Sequence, residues 1–322
     1  MFRSFATTAL LGASTLSGLS EATFNWANTK YFIAFGDSYT FIQGTAGVTN
    51  KSFIGSYTDF SFTSTKLLND QIVQSFTGTA EGGPNWVEYL TGCATKNGQY
   101  LPSSCAIQPW DFAWSGASVS EQFLPRHLAG TVPLVNQTQQ YLTYADPVLK
   151  SASNVKLDKT KALVAIWIGI NDVFDSKTYK PTSISYKDFW TQEIQAVFQQ
   201  SVTPLLNSGF KNFLFLNLPP LDRIPSNQAS SSPYPSTNGL SWWNTALASQ
   251  VASFQSNNAG TKAMLYDANT FLNKVMNNPG NYGITNTSNY CPGWQQADVL
   301  TNPGKYGCAP LNQYFWFNAV HM

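Results

Sequence analysis

The chain has 322 residues, of which 43% are hydrophobic and only 11% charged, with a formal net charge of +1. That balance gives no electrostatic reason to expect nucleic acid or an anionic membrane surface as partner. The length suits one α/β domain with long loops, kept in solution by Ser, Thr, Asn, Gln and Gly rather than by charge, a usage common in secreted proteins.

In chain order, the first segment reads as an export signal. Arg3 forms a short positive region, FATTALLGASTLSGLS (5–20) is apolar and small, and SEA (20–22) suits a signal-peptidase site. The expectation is a signal peptide over 1–22, a single mature domain over 23–322 and an extracellular location. The longest later apolar run, ALVAIWIGI (162–170), is too short to cross a bilayer, so no membrane span is expected.

Short apolar runs separated by helical patterns follow. YFIAF (31–35) ends at Gly36, ALVAIWIG (162–169) follows a polar lead-in, NFLFLNL (212–218) stops at Pro219 and Pro220, and KAMLYD (262–267) is the fourth; WDFAWSG (110–116) is a weaker fifth. Continuous runs of this length are expected of strands buried on both faces of a parallel sheet. Between them, apolar residues at 189, 190, 194, 197, 198, 202 and 205 form one face of a helix ending near Gly209, with Pro204 kinking its last turn. Residues 240–260 read as a second helix and 83–90 as a shorter one, while the polar stretch 225–239 reads as a surface loop. The alternation predicts a three-layer α/β/α sandwich around a mostly parallel five-stranded sheet, with ligands at the carboxyl ends of the strands.

Cys93 with Cys105 and Cys291 with Cys308 form two local pairs, the natural disulfides of an oxidising compartment, although four cysteines allow three connectivities. Neither zinc-type spacing nor nearby histidines support a metal reading. Asn50, Asn136 and Asn286 open sequons for N-glycosylation.

The strand ends carry the chemistry. Gly36-Asp37-Ser38 follows the first run, Ser115-Gly116-Ala117 follows WDFAW, Gly169-Ile170-Asn171-Asp172 follows the 162 run, and the chain closes on Asn318-Ala319-Val320-His321. These blocks, in this order, resemble the SGNH (GDSL-type) hydrolases along nearly the whole mature chain. GGPNWVEYL (82–90) and LNLPPLDRIP (216–225) resemble segments of the fungal acetyl esterases of carbohydrate esterase family sixteen. The resemblance implies Ser38 as nucleophile and His321 as its base. It also implies an oxyanion hole made by the Ser38 and Gly116 N–H groups and the Asn171 amide, with neither metal nor cofactor. Asp37 reads as loop structure, Asp172 as a backbone ligand and His127 as a surface or loop residue.

Two positions depart from the family. The usual acid three residues before the histidine is Asn318 here, and Met322 stands where a proline usually follows the histidine. An amide oxygen can accept the imidazole N–H, but it brings no charge. Three arrangements are open: Asn318 orients His321, another carboxylate reaches it, or catalysis is weak. The aromatic run YFWF (314–317) is a candidate anchor for the histidine. Trp86, Trp110, Trp114 and Trp316 are candidate sugar-stacking residues near the rim. The function implied is a secreted serine esterase acting on short acyl esters, acetyl groups on cell-wall carbohydrate above all. The alternatives are a lipase or lysophospholipase and a weakly catalytic glycan binder.

Overall fold

The computed structural model describes residues 24–322; the signal-peptide reading of 1–22 falls outside them. The strands in chain order are β1 (Tyr31–Gly36), β2 (Ile72–Gln74), β3 (Gly98–Tyr100), β4 (Gln108–Asp111), β5 (Ala162–Trp167), β6 (Asn212–Leu216) and β7 (Lys262–Tyr266). Five of them make one sheet in the order β4-β1-β5-β6-β7, every neighbouring pair parallel, while β2 and β3 form a separate antiparallel ribbon. In register, Ala34 of β1 lies between Asp111 of β4 and Ala165 of β5, and Gly36 lies beside Trp167. β1, β4 and β5 therefore end together on one rim, on which the segments carrying Ser38, Gly116 and Asn171 begin.

The apolar runs behave as strands buried on both faces should. β1 and β5 are buried at every position. Because side chains alternate along a strand, β1 sends Ile33 and Phe35 to one face and Phe32 and Ala34 to the other. The first pair joins a large core with Tyr141, Val164, Ile166, Phe198, Phe213 and Phe254. The second joins a small cluster with Val87, Leu163 and Ala165. The three layers are thus unequal. On the thinner side an apolar groove of about 900 Å³ runs past Leu214, Leu216, Tyr266 and Phe271.

Two readings need correction. The weak fifth strand lies at 108–111, not 110–116. It stops at Asp111, whose buried carboxylate turns to accept the Ala113 N–H at 2.8 Å, so the backbone leaves the ladder there. The long helix before Gly209 is not uniform: Tyr186–Ala196 is α-helical, Val197–Val202 takes a wider π-turn, and Thr203–Asn207 resumes the α register. The widened turn accommodates Pro204, which has no N–H to donate into a regular ladder. Helices at Leu134–Gln140 and Ala268–Asn277 were not anticipated. The second predicted helix spans Thr237–Asn257, with the Ser236 hydroxyl accepting from Gly239 N at its start. Both anticipated disulfides are formed.

Among the described residues no helix is long and apolar enough to cross a membrane, and no group of three metal-ligating side chains gathers.

Candidate active site

Strand β1 delivers the chain to the rim through Gly36. A side chain there would stand 2.2 Å from the Trp167 carbonyl oxygen, so only glycine lets β1 approach β5 this closely. The buried amide of Gln137 grips the same residue from both sides. Its Oε1 accepts the Gly36 N–H at 3.0 Å and its Nε2 donates to the Gly36 carbonyl at 2.8 Å. The next residues fold into a tight turn in which the Asp37 carbonyl accepts from Thr40 N and Phe41 N, and Asp37 Oδ1 accepts from Tyr39 N. Burial pushes the Asp37 carboxyl up to about 8. Asp37 therefore builds the turn, and Ser38 sits on it with 7% of its surface exposed.

GGPNWVEYL clamps this turn from outside. Asn85 caps the helix Trp86–Thr91, accepting from Val87 N, while its Nδ2 donates to the Thr40 and Phe41 carbonyls at 2.9 and 3.0 Å. Trp86 Nε1 donates to the Tyr39 carbonyl at 3.0 Å. Side-chain donors on these carbonyls hold the turn, and Ser38 with it, in one place.

His321 meets Ser38 across almost the whole sequence: Nε2 lies 2.8 Å from Ser38 Oγ. Its Nδ1 lies 3.0 Å from Asn318 Oδ1. That oxygen also accepts the backbone N–H groups of Val320 and His321 at 3.1 and 2.9 Å, and Asn318 Nδ2 donates to the Ala80 carbonyl at 3.2 Å. Two backbone donors on one side and a carbonyl on the other fix which way the amide faces. An atom that only accepts stands against Nδ1, so Nδ1 carries the proton and Nε2 presents its lone pair to the serine hydroxyl. Burial lowers the His321 imidazole to about 4. Of the three arrangements open in the sequence, the structure contains the amide pair.

The terminal loop is tied down. The His321 carbonyl accepts from Phe317 N at 2.8 Å and Asn318 N at 3.3 Å, the Tyr39 hydroxyl donates to the Val320 carbonyl, and the Tyr39 ring lies 5.0 Å from the imidazole. Phe315 and Trp316 are buried, and Trp316 Nε1 donates to the Thr287 carbonyl at 3.0 Å. The aromatic run thus roots the loop in the fold.

Gly116 and Asn171 arrive from β4 and β5. Gly116 has φ +78°, the left-handed region, and a Cβ there would press 3.0 Å from the Leu128 side chain. Asn171 Nδ2 donates to the Ala117 carbonyl and Asp172 Oδ1 accepts from Val119 N, both at 2.8 Å, so adjacent residues fasten the loop that bears Gly116. Asp172 lies against the buried Glu193, and burial pushes both carboxyls up, Asp172 to about 7. Among the described residues, no acceptor takes the Ser38 or Gly116 N–H.

Other readings shift. Trp110, Trp114 and Trp316 are buried core residues and form no rim platform, whereas the partly buried Trp86 donates to the turn and also lines the groove of about 900 Å³. His127 is on the surface, yet it is paired: Nδ1 lies 2.9 Å from both Asp175 oxygens, and its ring borders the space over Gly116. Gln137, Asn85 and Asp175 carried no signal of their own in the sequence. Only Asn85 could be suspected, as a helix cap; the helix that bears Gln137, Leu134–Gln140, is mostly polar and does not single it out.

Residues 32–316 match the GDSL-like lipase/acylhydrolase family. The chain belongs to this family. It is therefore a carboxylic ester hydrolase. An acetylesterase of Thermothelomyces thermophilus is 26% identical over 271 residues, which cover 82% of this chain and 78% of that protein. The hydrolase is acetylesterase-like at that level of similarity.

Proposed function

We propose that the protein is a secreted serine esterase that removes short acyl groups, acetyl above all, from carbohydrate esters of the plant cell wall. The mature domain would be residues 23–322 after loss of the signal peptide. The observation that carries the mechanism is the unbroken chain Ser38 Oγ, His321 and Asn318 Oδ1, with links of 2.8 and 3.0 Å.

His321 takes the Ser38 proton on Nε2 as Oγ attacks the ester carbonyl. The oxyanion is held by the Ser38 and Gly116 N–H groups and by Asn171. That amide has two N–H bonds, one engaged by Ala117 and one left for substrate. The imidazolium then gives its proton to the departing alkoxide, and a water activated by the same nitrogen releases the acid from the serine. Asn318 holds the tautomer throughout. An aspartate-to-asparagine change in a serine triad costs about 10⁴ in turnover when it selects the wrong tautomer; here the amide presents its oxygen and supports the right one.

Hydrolysis of p-nitrophenyl esters tests the reading. The acetate is expected to be cleaved far faster than the octanoate, and Ser38→Ala is expected to abolish both reactions. Octanoate preference would select the lipase alternative. Full activity in the variant would remove Ser38 from the mechanism, and no activity in the wild type would favour a glycan binder.

A further inference from the structure

Beside Ser38, a cleft of about 400 Å³ includes His321 and Asn318 in its wall. Its lining is aromatic in Phe41, Phe76, Trp294 and Phe317 and polar but uncharged in Asn50, Thr77 and Gln295, and no Lys or Arg lines it. Phe317 stands edge-on to Phe76 and Trp294, with centroids 5.6 and 5.4 Å away. Trp294 is half-buried and rides on the loop closed by the Cys291–Cys308 disulfide, its backbone N–H donating to the Cys291 carbonyl at 3.1 Å.

The reaction decides which half of the ester this cleft receives. The nitrogen that takes the serine proton must hand it to the leaving oxygen, so the alcohol half lies against His321. His321 is itself in the cleft wall, so an alcohol lying against its imidazole extends into the cleft that Trp294 lines. An alcohol that fits must offer an apolar face to an indole and hydroxyls to amides and threonine. A sugar ring has both surfaces. A phosphate-bearing headgroup would find no cation there.

We propose that Trp294 is the stacking platform for the alcohol half of the substrate, and that this half is a pyranose ring. The proposal rests on the serine-esterase reading of Ser38 and His321. The disulfide loop then acts as a specificity element, holding one aromatic ring over the mouth of the site.

The test compares kcat/KM on a mono-acetylated methyl xyloside with kcat/KM on ethyl acetate, whose alcohol cannot stack. In Trp294→Ala the ratio of the two is expected to fall roughly tenfold, mainly through KM on the sugar ester. Trp294→Phe should keep most of the ratio. Replacing both Cys291 and Cys308 by serine should lower it in the same direction while leaving the indole in place. An unchanged ratio in Trp294→Ala, or an equal fall in the alanine and phenylalanine variants, would overturn the platform. If the wild type cleaves ethyl acetate as well as the xyloside ester, the sugar assignment fails while the serine mechanism stands. Activity surviving in Ser38→Ala on both esters would instead sink the underlying reading.

Discussion

The protein has two histidines, and they are held in opposite ways. His321 is enclosed, its outer nitrogen rests on a neutral amide, and its imidazole is lowered to about 4. His127 is half-exposed, its Nδ1 rests on the Asp175 carboxylate, and that hydrogen bond raises its imidazole above the usual range. Each lies near one side of the same site, the first on Ser38 and the second beside Gly116. On the proposed mechanism His321 must be neutral to accept a proton, and the Asn318 amide orients it without supplying charge. The carboxylate sits instead against His127.

The widest separation between the two histidines is expected in turnover. His321→Ala removes the base and should cost on the order of 10⁴ to 10⁶ in kcat on p-nitrophenyl acetate. His127→Ala leaves the base, nucleophile and Asn171 in place and should cost roughly tenfold at most. Comparable losses in the two variants would mean that His127 takes part in proton transfer.

Asn318→Asp makes the two pairs chemically alike. A carboxylate against Nδ1 favours the imidazolium, so the acid limb of kcat/KM, expected near 4 in the wild type, should move upward. At pH 8 turnover should be preserved or raised, because the same oxygen still accepts Nδ1–H. The change carries a structural cost: the atom replacing Nδ2 can no longer donate to the Ala80 carbonyl, which destabilises by about 1–3 kcal/mol. An unmoved acid limb in the pH profile would show that Asn318 does not face the imidazole in solution.

How much of this was legible beforehand differs by level. The strands could be read because runs such as Ala162–Trp167 are apolar at every position, and the rim followed from their ends. Ser38, Gly116, Asn171 and His321 were readable as blocks in order. The amide at 318 was visible, but its orientation was not. That depends on Val320 N, His321 N and the Ala80 carbonyl, and the last is 238 residues away. Nearness in sequence to a motif does not bring a tryptophan to the site: Trp110 and Trp114 lie in the core, whereas Trp294 reaches the cleft on a cross-linked loop far from all but the last block. His127 and Asp175 met for the same reason: each stands on a different segment, and only packing joins them.

The pH dependence of stability sets the histidines against each other and against the buried acids. His321 titrates near 4 when folded and near 6.5 unfolded, so the unfolded chain binds more protons between those values and stability rises with pH across them. His127 is raised on folding, so its contribution is present at low pH and is lost as pH climbs through its folded value. Asp37 and Asp172, held at about 8 and about 7 against roughly 3.9 unfolded, act in the same direction as His127: the folded state keeps their protons, and stability falls as pH rises from about 4 to 8. The two carboxyls outweigh the single lowered histidine from about pH 4 upward, so thermal stability should be highest near about pH 4 and decline toward 8. A peak at or above pH 8 would show that these carboxyls are ionised in the folded protein.

The smallest expected effect isolates the charged pair. Asp175→Asn keeps a hydrogen-bond acceptor beside His127 but removes the charge that raises it. The His127 imidazole should titrate lower by NMR, while the acid limb of kcat/KM, set by the enclosed His321, should stay where it is. Turnover on p-nitrophenyl acetate should change by less than about threefold, since an exposed ion pair is worth only about 0–1 kcal/mol. If the acid limb shifts together with the His127 resonance, the two histidines are electrostatically linked through the loop that bears Gly116. The separation between a neutral base and a charged neighbour would then be incomplete.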